Sequence, residues 1–120
     1  MHEVVVVGYD HINCLSIIRG LGEKNIKMYV IFIAEGFSGM CTKSKFISGN
    51  FCVVKLSNIV QRLAEIGEES KRKIPLFSCD DPETYLIDQN LDMLSQYYYC
   101  ENIKMTQGAI CRLMDKYEQY

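Results

Sequence analysis

The sequence predicts a three-layer α/β sandwich, with helices on both faces of a mostly parallel sheet of four or five strands, and three observations carry that prediction. Short apolar, often β-branched runs recur along the chain. Apolar residues spaced as helical stripes fall between them. The connections are short enough for strand–helix–strand units joined by right-handed crossovers. A length of 120 residues suits one core,.

Residues 3–8 open the pattern. Val4, Val5, Val6 and Val7 precede Gly8 without a polar interruption, as expected of a strand buried on both faces. Cys14, Ile17, Ile18 and Leu21 follow at i, i+3, i+4 and i+7, an amphipathic helix for which Asn13 is the predicted N-cap. Residues 27–33 (KMYVIFI) form the second apolar run. Residues 34–45 carry Gly36 and Gly39 among Ser, Thr and Lys without periodicity, and read as a long loop whose length calls for a function. Residues 51–54 are a short third strand, and Ser57, Ile59, Leu63 and Ile66 mark the next helix. Residues 74–79 (IPLFSC) are a fourth strand with Pro75 near its start,. Asp81 before Pro82 predicts an N-cap with proline at the first helical position, and Ile87, Leu91 and Leu94 continue that helix. Tyr97, Tyr98, Tyr99 and Cys100 are a brief fifth strand candidate. Ile110, Leu113, Met114 and Tyr117 space a terminal helix. The sandwich is therefore assigned to residues 1–105 and the terminal helix to 106–120. That helix meets no stop signal before Tyr120, so the chain is expected to be part of a longer protein.

Composition narrows the function. Thirteen Lys and Arg against fifteen Asp and Glu leave a net charge of -2, which offers no excess positive charge for nucleic-acid phosphates. No apolar run approaches a signal peptide or a membrane span, so no membrane partner and a cytoplasmic location are expected. The six cysteines, Cys14, Cys41, Cys52, Cys79, Cys100 and Cys111, show no C-x-x-C pair. Most lie in apolar runs and read as structural thiols, and with only His2 and His11 available no metal site is expected.

Parallel sheets of this kind bind ligands beyond the carboxyl ends of their strands, where the strand order reverses. Two loops meet that description. One is Gly8, Tyr9, Asp10, His11, Ile12 and Asn13, where the glycine permits a tight turn and helix amides can hold an anion. The other is Cys79, Asp80 and Asp81. Neither G-x-G-x-x-G at the first loop nor a phosphate-binding G-x-x-x-x-G-K-[ST] occurs, which argues against a dinucleotide or P-loop site. Gly20 and Gly22 lie within or at the end of the first helix and read as close-packing positions. Asp10 serves either a ligand or a turn, and His11 has the same two readings. Arg19 either clamps a carboxylate or is a solvated helix residue. The Asp80 and Asp81 pair is either a metal site or a helix cap. The tyrosines read as packing.

Four segments in order, VVVVGYDHINCLSIIRGLGEKNI, TKSKFISGNFCVV, IPLFSCDDPETYLIDQNLDMLSQYY and ICRLMDKYEQY, resemble the N-terminal, pre-ATP-grasp domain of ATP-grasp ligases such as biotin carboxylase and D-aspartate ligase. The resemblance covers most of the chain. It implies a Rossmann-like domain on the substrate side of an enzyme that uses ATP and magnesium to activate a carboxylate as an acyl phosphate for attack by an amine. It further implies that Gly8, Tyr9, Asp10, His11, Asn13, Arg19 and Asp80 lie near substrate, and that Lys116 of the Asp115 and Lys116 step reaches ATP phosphates. The lid, its phosphate loop and the magnesium ligands are not among the 120 residues. This chain alone is therefore expected to be inactive, to contain no catalytic residue and to hold neither ATP nor magnesium tightly. Its expected partners are the remaining domains of the same polypeptide and a small carboxylate substrate. A homodimer through Ile110, Met114, Tyr117 and the tyrosine segment is also expected. The alternatives are a receiver-like domain or a stand-alone small-molecule-binding module.

Overall fold

The computed structural model describes residues 2–100. The predicted terminal helix, Cys111 and Lys116 lie outside them. The elements are β1 (Val4–Gly8), α1 (Ile12–Glu23), β2 (Met28–Ile33), β3 (Phe51–Val54), α2 (Ile59–Glu69), β4 (Ile74–Ser78), α3 (Asp81–Gln89), α4 (Leu91–Leu94) and β5 (Tyr98–Tyr99). All five strands run parallel in the order β3-β2-β1-β4-β5. The architecture is the Rossmann-like α/β sandwich that the sequence predicts.

Alternation along β1 explains how one valine run serves two cores, because successive side chains point to opposite faces. Val4 and Val6 face α1, meeting Cys14, Ile17, Ile18 and Leu21 together with Phe32 and Phe77. Val5 and Val7 face the other layer, where Ile59 and Leu63 of α2, Ile87 of α3 and Leu94 of α4 cover them. The register pairs Val4 with Met28 and Gly8 with Phe32 on one side, and Val5 with Leu76 and Val7 with Ser78 on the other. β1 is thus the innermost strand.

Three local expectations are corrected. The N-cap of α1 is His11, whose imidazole accepts the Asn13 N–H, so Asn13 sits inside the helix. The N-cap of α3 is Asp80, with Asp81 and Pro82 in the first turn. Asn90 breaks the third predicted helix into α3 and α4, its side-chain amide donating to the Leu86 carbonyl. Each shift reflects a side-chain bond to backbone that periodicity alone does not encode.

Asn25, just past α1, has φ 61°, and the bonds Asn25 N–H to Gly22 O and Ile26 N–H to Leu21 O close a Schellman turn,. No helix among the described residues is long and apolar enough to cross a membrane.

Candidate functional site

β1 and β4 are neighbours, yet the chain leaves β1 toward α1 on one face and leaves β4 toward α3 on the other. The two departing loops diverge at the carboxyl tips, the topological switch point where such sheets place their ligand crevice,. The predicted loops are the ones that border it.

Gly8 ends β1, but its role differs from the expected tight turn. A Cβ there would lie 2.8 Å from both Cβ and Sγ of Cys79 and 3.3 Å from Sγ of Cys14. Glycine is needed for close approach between β1, β4 and α1, and no left-handed backbone is involved.

Across the crevice the two loops are tied through Asp80. Its Oδ2 accepts the Tyr9 N–H at 3.0 Å, and its Oδ1 lies 3.0 Å from Nε2 of His11. Because His11 Nδ1 accepts the Asn13 N–H at 3.2 Å, the network assigns the ring proton to Nε2, where it donates to Asp80. Tyr9 stacks parallel to the His11 ring at 6.2 Å. Burial, then the nearby charges of Glu83, Glu35 and Asp80, raise the Tyr9 hydroxyl above its ordinary value. Behind Asp80, Glu83 completes a capping box, its Oε1 accepting the Asp80 N–H at 2.7 Å,. Glu83 is fully buried, and its Oε2 has no hydrogen-bond partner among the described residues. Desolvation pushes its carboxyl up to about 7,.

Asp10 points the other way, into the loop of residues 34–50. Its Oδ2 accepts from Ser38 N–H at 2.9 Å, Ser38 Oγ at 3.0 Å, Gly39 N–H at 2.5 Å and Met40 N–H at 3.0 Å. Oδ1 takes the Cys41 N–H at 2.7 Å. Gly36 and Gly39, with φ 77° and 91°, give the loop the curvature that turns these amides inward,. Burial opposes ionisation of Asp10, but the bonds from Cys41, Ser38 and Gly39 outweigh it and hold the carboxyl well below its usual range. The long loop is therefore a strap, and Asp10 is its fastener.

Of the sequence-predicted residues, Tyr9, His11 and Asp80 come together at the crevice, with Gly8 beneath them. Asp10 is adjacent in sequence, but its carboxylate is engaged by the strap. Asn13 contributes its backbone N–H to His11. Arg19 is exposed on α1, seven residues after Ile12 and so about 10 Å along the helix from the tip; no contact joins it to the crevice among the described residues. Sequence reasoning missed Glu83, Glu35 and the amides of residues 38–41. The spacing of Asp80 and Glu83 is a capping-box signature that identifies the first of these, and two glycines in GFSGM hint at the last.

Cys14, Cys41 and Cys79 are free thiols buried beside the Asp10 loop. Cys41 donates to the His11 carbonyl at 3.4 Å, and its thiol is raised by the hydrogen bond with Cys14 and by burial. Cys14 and Cys41, whose thiols are both raised, are poor nucleophiles,. No group of three His, Cys, Asp or Glu among the described residues is arranged to hold a metal. The amide nest of residues 38–41, the kind of feature that cradles phosphate, is filled by Asp10. That nest is therefore not free to hold a phosphate. Comparison with known proteins gave no match among family models, curated proteins or solved structures.

Proposed function

We propose that this chain is the substrate-side N-terminal domain of an ATP-dependent ligase that activates a carboxylate as an acyl phosphate for attack by an amine. Its contribution is the crevice between the loops after β1 and β4. The observation that carries the reading is the cross-tie of Tyr9 and His11 to Asp80 at the switch point. It fixes the loop after β1 against the loop after β4, as a substrate-positioning wall requires,. The sequence resemblance supplies the reaction class. Lys116 is assigned to ATP phosphates by that resemblance alone, and the described residues supply positioning without chemistry of their own.

The receiver-like alternative is disfavoured by two observations. Receiver domains follow the order 2-1-3-4-5, whereas this sheet runs β3-β2-β1-β4-β5. Asp80 is also engaged by Tyr9 and His11 and caps α3, which leaves no free carboxylate poised as a phosphoacceptor. A stand-alone binding module shares the same crevice and differs only in lacking turnover.

The test is ADP formation by the whole gene product with magnesium, ATP and panels of carboxylates and amines. The expected result is ADP release that depends on both a carboxylate and an amine. Asp80→Asn should lower kcat/KM for one of those two substrates by about tenfold, about 1.4 kcal/mol, with KM for ATP unchanged. A gene product that binds small molecules but forms no ADP would replace the ligase reading with the binding module.

A further inference from the structure

The opposite end of the sheet, at the amino ends of the strands, holds a second concavity that the crevice does not use. A cavity of about 640 Å³ opens there between the end of α1, the start of β2 and the turn before β3. It is lined by the exposed residues Lys27, Lys45, Asn25, Asn50 and Ser48, with Phe46 as an apolar side. No carboxylate lines it. Neither lysine has an ion-pair partner among the described residues, Lys45 instead lying 5.2 Å over the Phe46 ring. That leaves two positive charges uncompensated beside polar donors, in a protein whose net charge is -2.

The walls are built rather than incidental. Asn25 is fixed by the Schellman turn that ends α1. Ser48, at φ 49°, is held in its turn by its own hydroxyl bond to the Lys45 carbonyl at 3.0 Å. Phe46 is seated on Gly22 so closely that a Cβ on the glycine would fall 2.1 Å from the ring. The turn that presents Lys45 is therefore locked to the helix whose end presents Asn25, and Lys27 stands between them at the entry to β2. His2 lines this cavity and also a neighbouring one of about 340 Å³ that carries Lys71 and Arg72.

We propose that the cavity between Lys27 and Lys45 is a binding site for a multiply charged oxyanion, a phosphate ester or a polycarboxylate. Two separated ammonium groups suit a ligand with charge spread over several oxygens, because each acts as a point charge with rotatable donors. The amides of Asn25 and Asn50 complete its hydrogen bonds, and Phe46 gives a non-polar flank for the ligand's carbon skeleton,. The site lies at the other end of the strands from the Asp80 crevice, so it stands or falls independently of the ligase reading.

Isothermal titration of the full chain at low salt, with pyrophosphate and separately with citrate, tests it. The expected result is saturable one-to-one binding of at least one probe. Lys27→Gln with Lys45→Gln should weaken it at least tenfold, and Lys71→Gln with Arg72→Gln should leave it within twofold. Pyrophosphate alone binding assigns phosphate esters, citrate alone assigns polycarboxylates, and both together assign charge as the selector. Asn50→Asp adds a negative charge at an exposed wall position without touching the core, and should weaken binding even if the double variant proves unstable. Absence of saturable binding, or binding that survives both Asn50→Asp and the lysine replacements, overturns the site.

Discussion

At Asp10, two carboxylate oxygens accept four backbone N–H groups and one hydroxyl, an arrangement that only the ionised side chain satisfies in full. Asp10→Ala leaves those amides without their acceptor and should cost on the order of 3 kcal/mol in urea unfolding, since bonds to a charged group are the stronger kind. A loss under about 0.5 kcal/mol, the range of ordinary surface changes, would remove the fastener role. The folded carboxyl lies below its unfolded value, so this contribution is present above about pH 4 and is lost as the pH falls further,. Glu83 has the opposite sign. Its carboxyl is raised from the ordinary 4.5 to about 7, so the folded state binds the extra proton between those values. Its contribution is fully present below 4.5 and disappears as the pH rises through about 7,. Glu83→Gln keeps an acceptor for the Asp80 N–H and removes the titration. Urea unfolding from pH 5 to 8 should therefore show a flatter profile for the variant; an unchanged slope would mean that Glu83 does not titrate there.

Gly8 and Gly22 are two of the glycines at which elements meet closely, and the same argument fixes the sign of both substitutions. In a helix, Gly→Ala normally stabilises by about 1 kcal/mol. At Gly22 of α1 the new methyl would meet the Phe46 ring at 2.1 Å, and overpacking of about 1–3 kcal/mol opposes that gain. Gly22→Ala should lower the unfolding free energy, and should also loosen the turn that carries Lys45; a rise in Tm would show that Phe46 moves aside freely. Gly8→Ala has no helix gain to offset the contacts with Cys79 and Cys14, so it should be the more damaging of the pair. β5 is short, but Tyr98 anchors it, fully buried and donating its hydroxyl to the Leu63 carbonyl of α2 at 2.7 Å. Tyr97 lies against Gly67, leaving Tyr99 the most exposed of the three. Tyr98 is thus spent on internal packing, while Tyr99 keeps an exposed face. Tyr98→Phe should cost about 1 kcal/mol, the usual net worth of one hydrogen bond.

Across the whole molecule, protection should follow position in the sheet. β1 is paired on both edges and covered on both faces, whereas β3 is paired only with β2 and β5 spans two residues. Amide exchange should be slowest in β1 and faster in β3 and β5; equal rates throughout would point to opening only by global unfolding. The alternation of apolar runs with helical stripes was enough to determine the α/β sandwich, because each strand and helix must bury its own apolar surface and the periodicity records which residues do so. It also nominated the Tyr9, His11 and Asp80 loops, since strand tips follow once strands are placed. The sequence could not say that Asp10 turns away from the crevice, that Gly8 serves close contact, or that Glu83 is buried behind Asp80. The first two depend on where residues 28 to 31 and 71 positions apart come to lie once the chain is closed, and the third on what packs over a carboxyl only three residues from Asp80. Hydrogen bonding and desolvation act through that spatial proximity, so only the tertiary structure decided them.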